Sequence, residues 1–230
     1  MPEAVILCAM PEEAQPFLDA ASDQREIDVD PGIGRMYECV IDGRELRVGV
    51  TGIGLVAAAS AARWAIDRTA PGCIVSAGSC GGLSRESRVG DVAVAVDCSY
   101  GTADATEFGY ERGQVPGQPL RYPSSPRLVE AVVAAAQPAL VGRILSGDTF
   151  VTARNVGEMR ETFPDAVATD MESCAIAQVC TAAGVPFISV RGVSDLCGPE
   201  AGVEFHIGVD VAAKRSADAV RAMLAALPQH

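Results

Sequence analysis

Short apolar runs alternate along the chain with longer segments whose apolar residues recur at helical spacing. Residues 4–9 form an apolar run of strand length, and Pro11 follows where a first helical turn tolerates proline, with Glu12 and Glu13 at the positive helix end. Runs at 36–41 and 45–51 flank Asp42-Gly43, which predicts an antiparallel hairpin. An alanine-rich helix is expected over 57–67, a short buried strand over 73–77, and another strand over 92–98 after the Gly90-Asp91 turn. Residues 99–125 break the alternation with Gly101, Gly109, Gly113, Gly117 and several prolines, the composition of a long functional loop. Beyond it the pattern predicts a helix over 128–136, a strand over 143–146, and a short helix over 155–163 closed by Pro164. Asp170 is a fair N-cap for a helix over 171–183, with Gly184 as its stop. A strand over 187–191 and an amphipathic helix over 209–227 complete the pattern.

Alternation of this kind predicts an α/β fold: one domain over 1–230, a mixed central sheet flanked by helices in three layers. Ligands of such sheets gather beyond the carboxyl ends of the strands. Five polar or glycine-rich segments follow the expected strands: 10–13 (Met-Pro-Glu-Glu), 51–54 (Thr-Gly-Ile-Gly), 78–82 (Gly-Ser-Cys-Gly-Gly), 146–148 (Ser-Gly-Asp) and 194–195 (Ser-Asp). If the strands run together, these ends converge on one site.

Composition narrows the chemistry. A net charge of −12 over 230 residues repels a phosphate backbone, so nucleic acid is excluded as an expected partner. No apolar run reaches the eighteen or so residues that span a bilayer, and the start of the chain lacks a basic flank, so neither a membrane partner nor a signal peptide is expected. The eight cysteines include no Cys-x-x-Cys and are expected to be reduced, buried and cytoplasmic, without zinc-ligand spacing. Of two histidines, His230 is terminal and His206 is read as structural, so proton chemistry falls to carboxylates.

Among the motifs, residues 52–57 fit G-x-G-x-x-A, but the next strand lacks the acidic residue of a dinucleotide site, and a tight turn is the simpler reading. Residues 78–82 could offer amides to an anion or a sugar but are followed by no Gly-Lys-Ser/Thr, which excludes a Walker loop. Glu13, Glu172 and Asp195 all fall near expected strand ends, Glu172 in a first helical turn, and paired carboxylates can divide proton roles when their environments differ.

Several stretches together carry a resemblance over nearly the whole chain: 9–13 (AMPEE), 52–59 (GIGLVAAA), 78–83 (GSCGGL), 89–91 (VGD), 108–117 (FGYERGQVPG), 146–150 (SGDTF), 170–172 (DME) and 190–195 (VRGVSD). In order and spacing these resemble the bacterial 5′-methylthioadenosine/S-adenosylhomocysteine nucleosidases of the nucleoside phosphorylase/uridine phosphorylase superfamily. The resemblance implies hydrolysis of an N-glycosidic bond to free adenine and a thioribose, with no cofactor and no metal. It implies Asp195 as the general acid at adenine N7, Glu172 on the ribose hydroxyls and Glu13 on the attacking water. It further implies Phe150 stacked on adenine, Val151 reading the base edge, Ser79 and Arg191 bordering the sugar, and Ser194 positioning Asp195. Met10, Cys80, Gly81, Thr169, Asp170 and Met171 complete the substrate-binding set, and Ile53, Ala105, Phe108 and Pro116 close around the 5′-alkylthio group. Part of that closure comes from a neighbouring subunit in the family, so a homodimer is implied.

Three departures from the family pattern matter. Asp170 stands where the family commonly has Glu, which leaves both a ribose contact and a helix cap open for it, and Pro11 and Cys80 replace more usual residues. Glu13 rather than Glu12 carries the water role because it stands three residues after Met10, as in the family pattern. The alternatives on the same fold are a phosphate-dependent purine nucleoside phosphorylase, disfavoured by the acidic turn at 12–13, and a futalosine or aminodeoxyfutalosine nucleosidase. A non-catalytic nucleoside sensor would have no need of all three carboxylates.

Overall fold

Strand β1 (Ala4–Cys8) is buried along its whole length because the sheet has a helical layer on each face. Its odd and even residues part company as the two-residue repeat requires: Ala4, Ile6 and Cys8 enter one core, Val5 and Leu7 the other. The structure is a computed structural model that describes residues 3–138 and 140–228, the side chains of His206 and Ile207 excepted. His230, and the side chain of His206, therefore lie outside the described residues.

After β1 come α1 (Pro11–Asp19), β2 (Ala21–Ile27), β3 (Arg35–Ile41), β4 (Arg44–Val50), α2 (Leu55–Thr69), β5 (Ile74–Gly82) and β6 (Val92–Tyr100). A short 3₁₀ turn (Thr106–Phe108), β7 (Tyr122–Pro123), α3 (Pro126–Ala136), β8 (Leu140–Ser146), α4 (Val156–Thr162), β9 (Ala166–Asp170), α5 (Ser173–Ala183), β10 (Phe187–Asp195) and α6 (Ala201–Ala226) follow. Ala14 and Phe17 of α1, Leu128 and Val132 of α3, and Val220, Met223 and Leu224 of α6 fill one core. Ala58, Ala62 and Ala65 of α2 and Cys174, Ile176 and Cys180 of α5 fill the other. The sheet is mixed and flanked by helices, as the alternation predicts.

The sheet also closes on itself. Strand β10 pairs in parallel with β5 and antiparallel with β6, while β6, β8 and β9 run parallel and β9 returns antiparallel to β5. Five strands thus form a ring, from which β1, β4, β3 and β2 extend as an open wing. Closure removes the edges that β9 and β6 would otherwise present.

Several boundaries differ from those expected by sequence. Strands β2 and β9 were not expected: β2 is a largely exposed edge strand whose polar residues show no alternation, and β9 is only five residues long. Residues 78–82 have the composition of a turn yet belong to β5, because β10 pairs with 78–81 across one irregularity at Ser194, β9 pairs with 81–82, and glycine lets neighbouring side chains cross the strand. Ser194 and Asp195 likewise end β10 rather than follow it. Helix α5 starts at Ser173, not 171, and α6 starts at Ala201, eight residues before its apolar spacing becomes clear. The stretch after β6 is irregular as expected, apart from the 3₁₀ turn and the two residues of β7.

Buried Ser216 joins α6 to the two strands at the heart of the ring: its Oγ accepts the Gly78 amide at 3.1 Å and donates to the Val190 carbonyl at 2.8 Å. Ser216→Ala strands that buried amide and is expected to lower the unfolding free energy by about 1–3 kcal/mol. Urea unfolding measures this; an unchanged midpoint would contradict the assignment.

Candidate active site

The chain segments that leave β1, β4 and β8 and the ends of β5, β9 and β10 meet around a cavity of about 400 Å³. Met10 enters it after β1, Ile53 after β4, Ser79, Cys80 and Gly81 from β5, and Thr149, Phe150 and Val151 after β8. Thr169, Asp170, Met171 and Glu172 come from the end of β9 and the turn into α5, and Ser194 and Asp195 from the end of β10. Convergence of strand ends is the geometry in which open α/β sheets bind small molecules.

Beneath the floor lies Arg191, 1% exposed. Its Nε stands 3.2 Å from Asp170 Oδ2, its Nη2 3.5 Å from Glu172 Oε2, and its Nη1 3.9 Å from Glu13 Oε1. Nη2 also donates to Ser76 Oγ at 2.6 Å, and Nη1 to the Ser79 carbonyl at 3.3 Å. Burial works against this charge, but the three carboxylates outweigh it and hold the guanidinium protonated.

Each carboxylate has its own donors. Glu13, in the first turn of α1, takes the Ala9 and Met10 amides on Oε2 at 2.9 and 3.1 Å, and the Ser79 amide and hydroxyl on Oε1 at 2.7 and 2.8 Å. It reaches Ser79 across Gly78, where any Cβ would lie 2.4 Å from its carboxyl carbon. Asp170 turns Oδ1 onto the Ser146 hydroxyl at 2.5 Å and the Glu172 and Ser173 amides at 3.2 and 3.1 Å, and Oδ2 onto the Ser173 hydroxyl. Asp170 is therefore not the N-cap expected for it, because α5 starts later; its side chain braces the helix start from two residues before the cap. Glu172 sits at the N-cap position, one residue before α5, and its Oε1 accepts the Gly54 amide at 3.0 Å. Burial pushes Glu172 up to about 7; Arg191 opposes the rise, and Asp170 and Glu13 add to it.

Among the described residues no Lys or Arg forms an ion pair with Asp195. Its Oδ1 accepts the Cys197 amide at 2.9 Å and its Oδ2 the Ser194 hydroxyl at 3.0 Å. Burial raises its affinity for a proton, and these two donors limit the rise without cancelling it. The site therefore holds two carboxyl groups whose proton affinity burial raises, Asp195 among neutral donors and Glu172 against a guanidinium that opposes the rise. Such a pair suits general acid chemistry coupled to stabilisation of positive charge.

Four residues expected at the site do not line the cavity. Arg191 lies beneath the cavity wall rather than in it, because its guanidinium is turned to the buried carboxylates and serine hydroxyls. Ala105, Phe108 and Pro116 belong to the irregular segment after β6 and do not reach this chain's cavity; Phe108 is 82% exposed. Ala9, Thr149, Cys197, Gly202 and Phe205 line it without having been expected. Phe205 stands edge-on to Phe150 with ring centroids 5.9 Å apart. Its signal was hidden because the first two turns of α6 lack helical apolar spacing. Among the described residues no cluster of three His, Cys, Asp or Glu side chains has metal-holding geometry.

Arg191→Met removes the guanidinium that pairs with three buried carboxylates and is expected to cost about 3–5 kcal/mol. The loss should deepen as pH rises from 5 to 8. Without the guanidinium, which opposes the rise of Glu172, folded Glu172 keeps its proton further into the neutral range, whereas the unfolded chain releases it at about pH 4, so stability falls as pH rises through the raised value. Chemical denaturation across that range measures it; a loss independent of pH would contradict the account.

Comparison with known proteins agrees with this geometry. The phosphorylase superfamily model matches residues 3–225. A 5′-methylthioadenosine/S-adenosylhomocysteine nucleosidase of Staphylococcus aureus (strain MRSA252) is 38% identical over 227 residues, 96% of this chain and 99% of that protein. The nucleosidase of Colwellia psychrerythraea, solved in complex with adenine, superposes with a TM-score of 0.94 at 33% identity, covering 98% of this chain and 96% of that one. That of Neisseria meningitidis, in complex with methylthio-immucillin-A, gives 0.93 at 34% identity, covering 99% and 100%. The chain belongs to the phosphorylase superfamily, in its 5′-methylthioadenosine/S-adenosylhomocysteine nucleosidase branch.

Proposed function

We propose that the protein hydrolyses the N-glycosidic bond of 5′-methylthioadenosine and S-adenosylhomocysteine, releasing adenine and a 5-thioribose product. The observation that carries this reading is the placement of Glu13, Glu172 and Asp195 around one cavity, each buried and each held by different donors. Adenine leaves poorly as an anion, so Asp195 delivers its proton to N7 as the C1′–N9 bond breaks; burial keeps that proton available. Glu172 accepts the ribose hydroxyls, and its charge faces the oxocarbenium-like sugar that develops. Water attacks C1′ and gives a proton to Glu13. Of the four donors on Glu13, the Ser79 hydroxyl is the one that can rotate away and free Oε1 for that water. Phe150 offers a face to the base beside Val151, and Ile53 and Phe205 lie toward the 5′ end.

Water rather than phosphate as nucleophile is supported by the cavity wall, in which no Lys or Arg stands among the described lining residues. The same reading includes a homodimer, in which the segment bearing Ala105, Phe108 and Pro116 covers the partner's cavity. The exposure of Phe108 supports it. Light scattering of the purified protein decides it: a monomeric mass excludes that closure. A cytoplasmic location is supported by eight free thiols, all buried. Among the described residues no helix is long and apolar enough to cross a membrane.

A panel of 5′-methylthioadenosine, S-adenosylhomocysteine, futalosine and aminodeoxyfutalosine, assayed for free base with and without phosphate, tests the reading. Adenine release from the first two, unchanged by phosphate, is expected; strict phosphate dependence would overturn it. Asp195→Asn and Glu172→Gln are each expected to lower kcat/KM by at least about a hundredfold. Near-normal kinetics in either variant removes the role assigned to that residue.

A further inference from the structure

The first two amides of one helix end serve two different carboxylates. Helix α2 is 15 residues long, so its N-terminus carries a substantial partial positive charge. The Gly54 amide donates to Glu172 Oε1 at 3.0 Å, and the next amide, Leu55, donates to Asp148 Oδ1 at 2.8 Å. Asp148 is exposed and does not line the cavity, yet the three residues after it, Thr149, Phe150 and Val151, all do. That stretch has no regular secondary structure, so its course depends on how its ends are held. At the far end the Thr152 amide is taken by Asn155 Oδ1 at 2.8 Å. At the near end the Gly147 amide donates to the Asp170 carbonyl at 3.2 Å, and the carboxylate of Asp148 reaches over to α2. Gly54 leaves room for this approach, since a Cβ there would lie 2.9 Å from Asp148 Oδ1.

We infer that Asp148 is a positioning residue that clamps the base-facing segment 149–151 to the same helix end that orients Glu172, and so fixes the distance between the base and ribose subsites. The inference rests on the nucleosidase reading above. The clamp acts on how a nucleoside is held, not on proton transfer, because Asp148 touches neither the cavity nor Asp195. Loss of the clamp lets Phe150 and Glu172 drift independently, so a ligand that must meet both binds less well.

The test is the full-length protein with 5′-methylthioadenosine as substrate, in wild-type, Asp148→Ala, Asp148→Asn and Leu55→Pro forms. Leu55 is the first residue of α2, where proline fits the helix and removes the donor amide from the other side of the bond. Asp148→Ala is expected to raise KM about tenfold with kcat within about threefold. Asp148→Asn should recover most of that loss, because its amide oxygen still accepts the Leu55 amide. Leu55→Pro should match Asp148→Ala, and the double variant should add nothing further. Amide hydrogen exchange should quicken at 52–56 and 149–151 in Asp148→Ala and not in Asp148→Asn. A fall in kcat with KM unchanged, an equal defect in the Ala and Asn variants, or additive Ala and Pro effects overturns the clamp. If the wild-type protein releases no adenine, the nucleosidase reading fails by itself; the exchange pattern then still decides the clamp, and unchanged exchange in Asp148→Ala sinks it.

Discussion

A guanidinium that is almost wholly withdrawn from water costs several kcal/mol in lost hydration, and only close counter-charges with good hydrogen bonds offset that. Arg191 draws three carboxylates to itself from three parts of the chain, Glu13 on α1, Asp170 at the end of β9 and Glu172 before α5, and donates its shortest hydrogen bond to the Ser76 hydroxyl oxygen. The ring of strands and both helix starts must be in register for these distances to exist together. Three negative charges against one positive leave the floor of the cavity with surplus negative charge. That surplus raises the proton affinity of Glu172, and it is also the field in which a positively charged sugar would be stabilised.

Polar residues packed under the floor make this burial tolerable. Ser76, Ser173 and Ser189 share one hydroxyl cluster with Arg191, and Ser146 bridges Asp170 to the Cys174 amide. Small hydroxyls suit the place because they satisfy charged groups while leaving room for the strands to close. Asp170 shows the same economy of space. Being one methylene shorter than Glu, it ends on the first amides of α5 and on Arg191, and its oxygens are spent on holding Glu172 in place rather than on reaching into the cavity.

Helix ends provide the second organising device. Glu13 stands in the first turn of α1, Glu172 precedes α5 and also takes an amide of α2, and each therefore lies at a positive helix end. Asp195 lies at the end of a strand instead, held by the Ser194 hydroxyl and the Cys197 amide, with no Lys or Arg paired to it among the described residues. Difference in surroundings, rather than in residue type, separates a proton donor from a charge holder among otherwise similar groups.

By sequence alone, the two-residue and helical periodicities determined the class of fold and most of its elements, and the scarcity of histidine turned attention to carboxylates. Glu13, Glu172 and Asp195 were legible because short motifs flank them at strand ends. What periodicity does not carry is long-range pairing. Residues 78–82 became a strand because β10 and β9 lie alongside, β2 is held as an edge strand by β3, and Phe205 came to the cavity on a part of α6 that lacks helical apolar spacing. Arg191 could be read as a sugar contact until its burial against three carboxylates placed it beneath the floor, and Asp148, legible only as part of a polar strand-end segment, gained a partner when α2 lay next to it. Local patterns record which face of a segment is apolar; which charges meet is decided by closure of the sheet, because those partners lie from nineteen to well over a hundred residues apart in the chain.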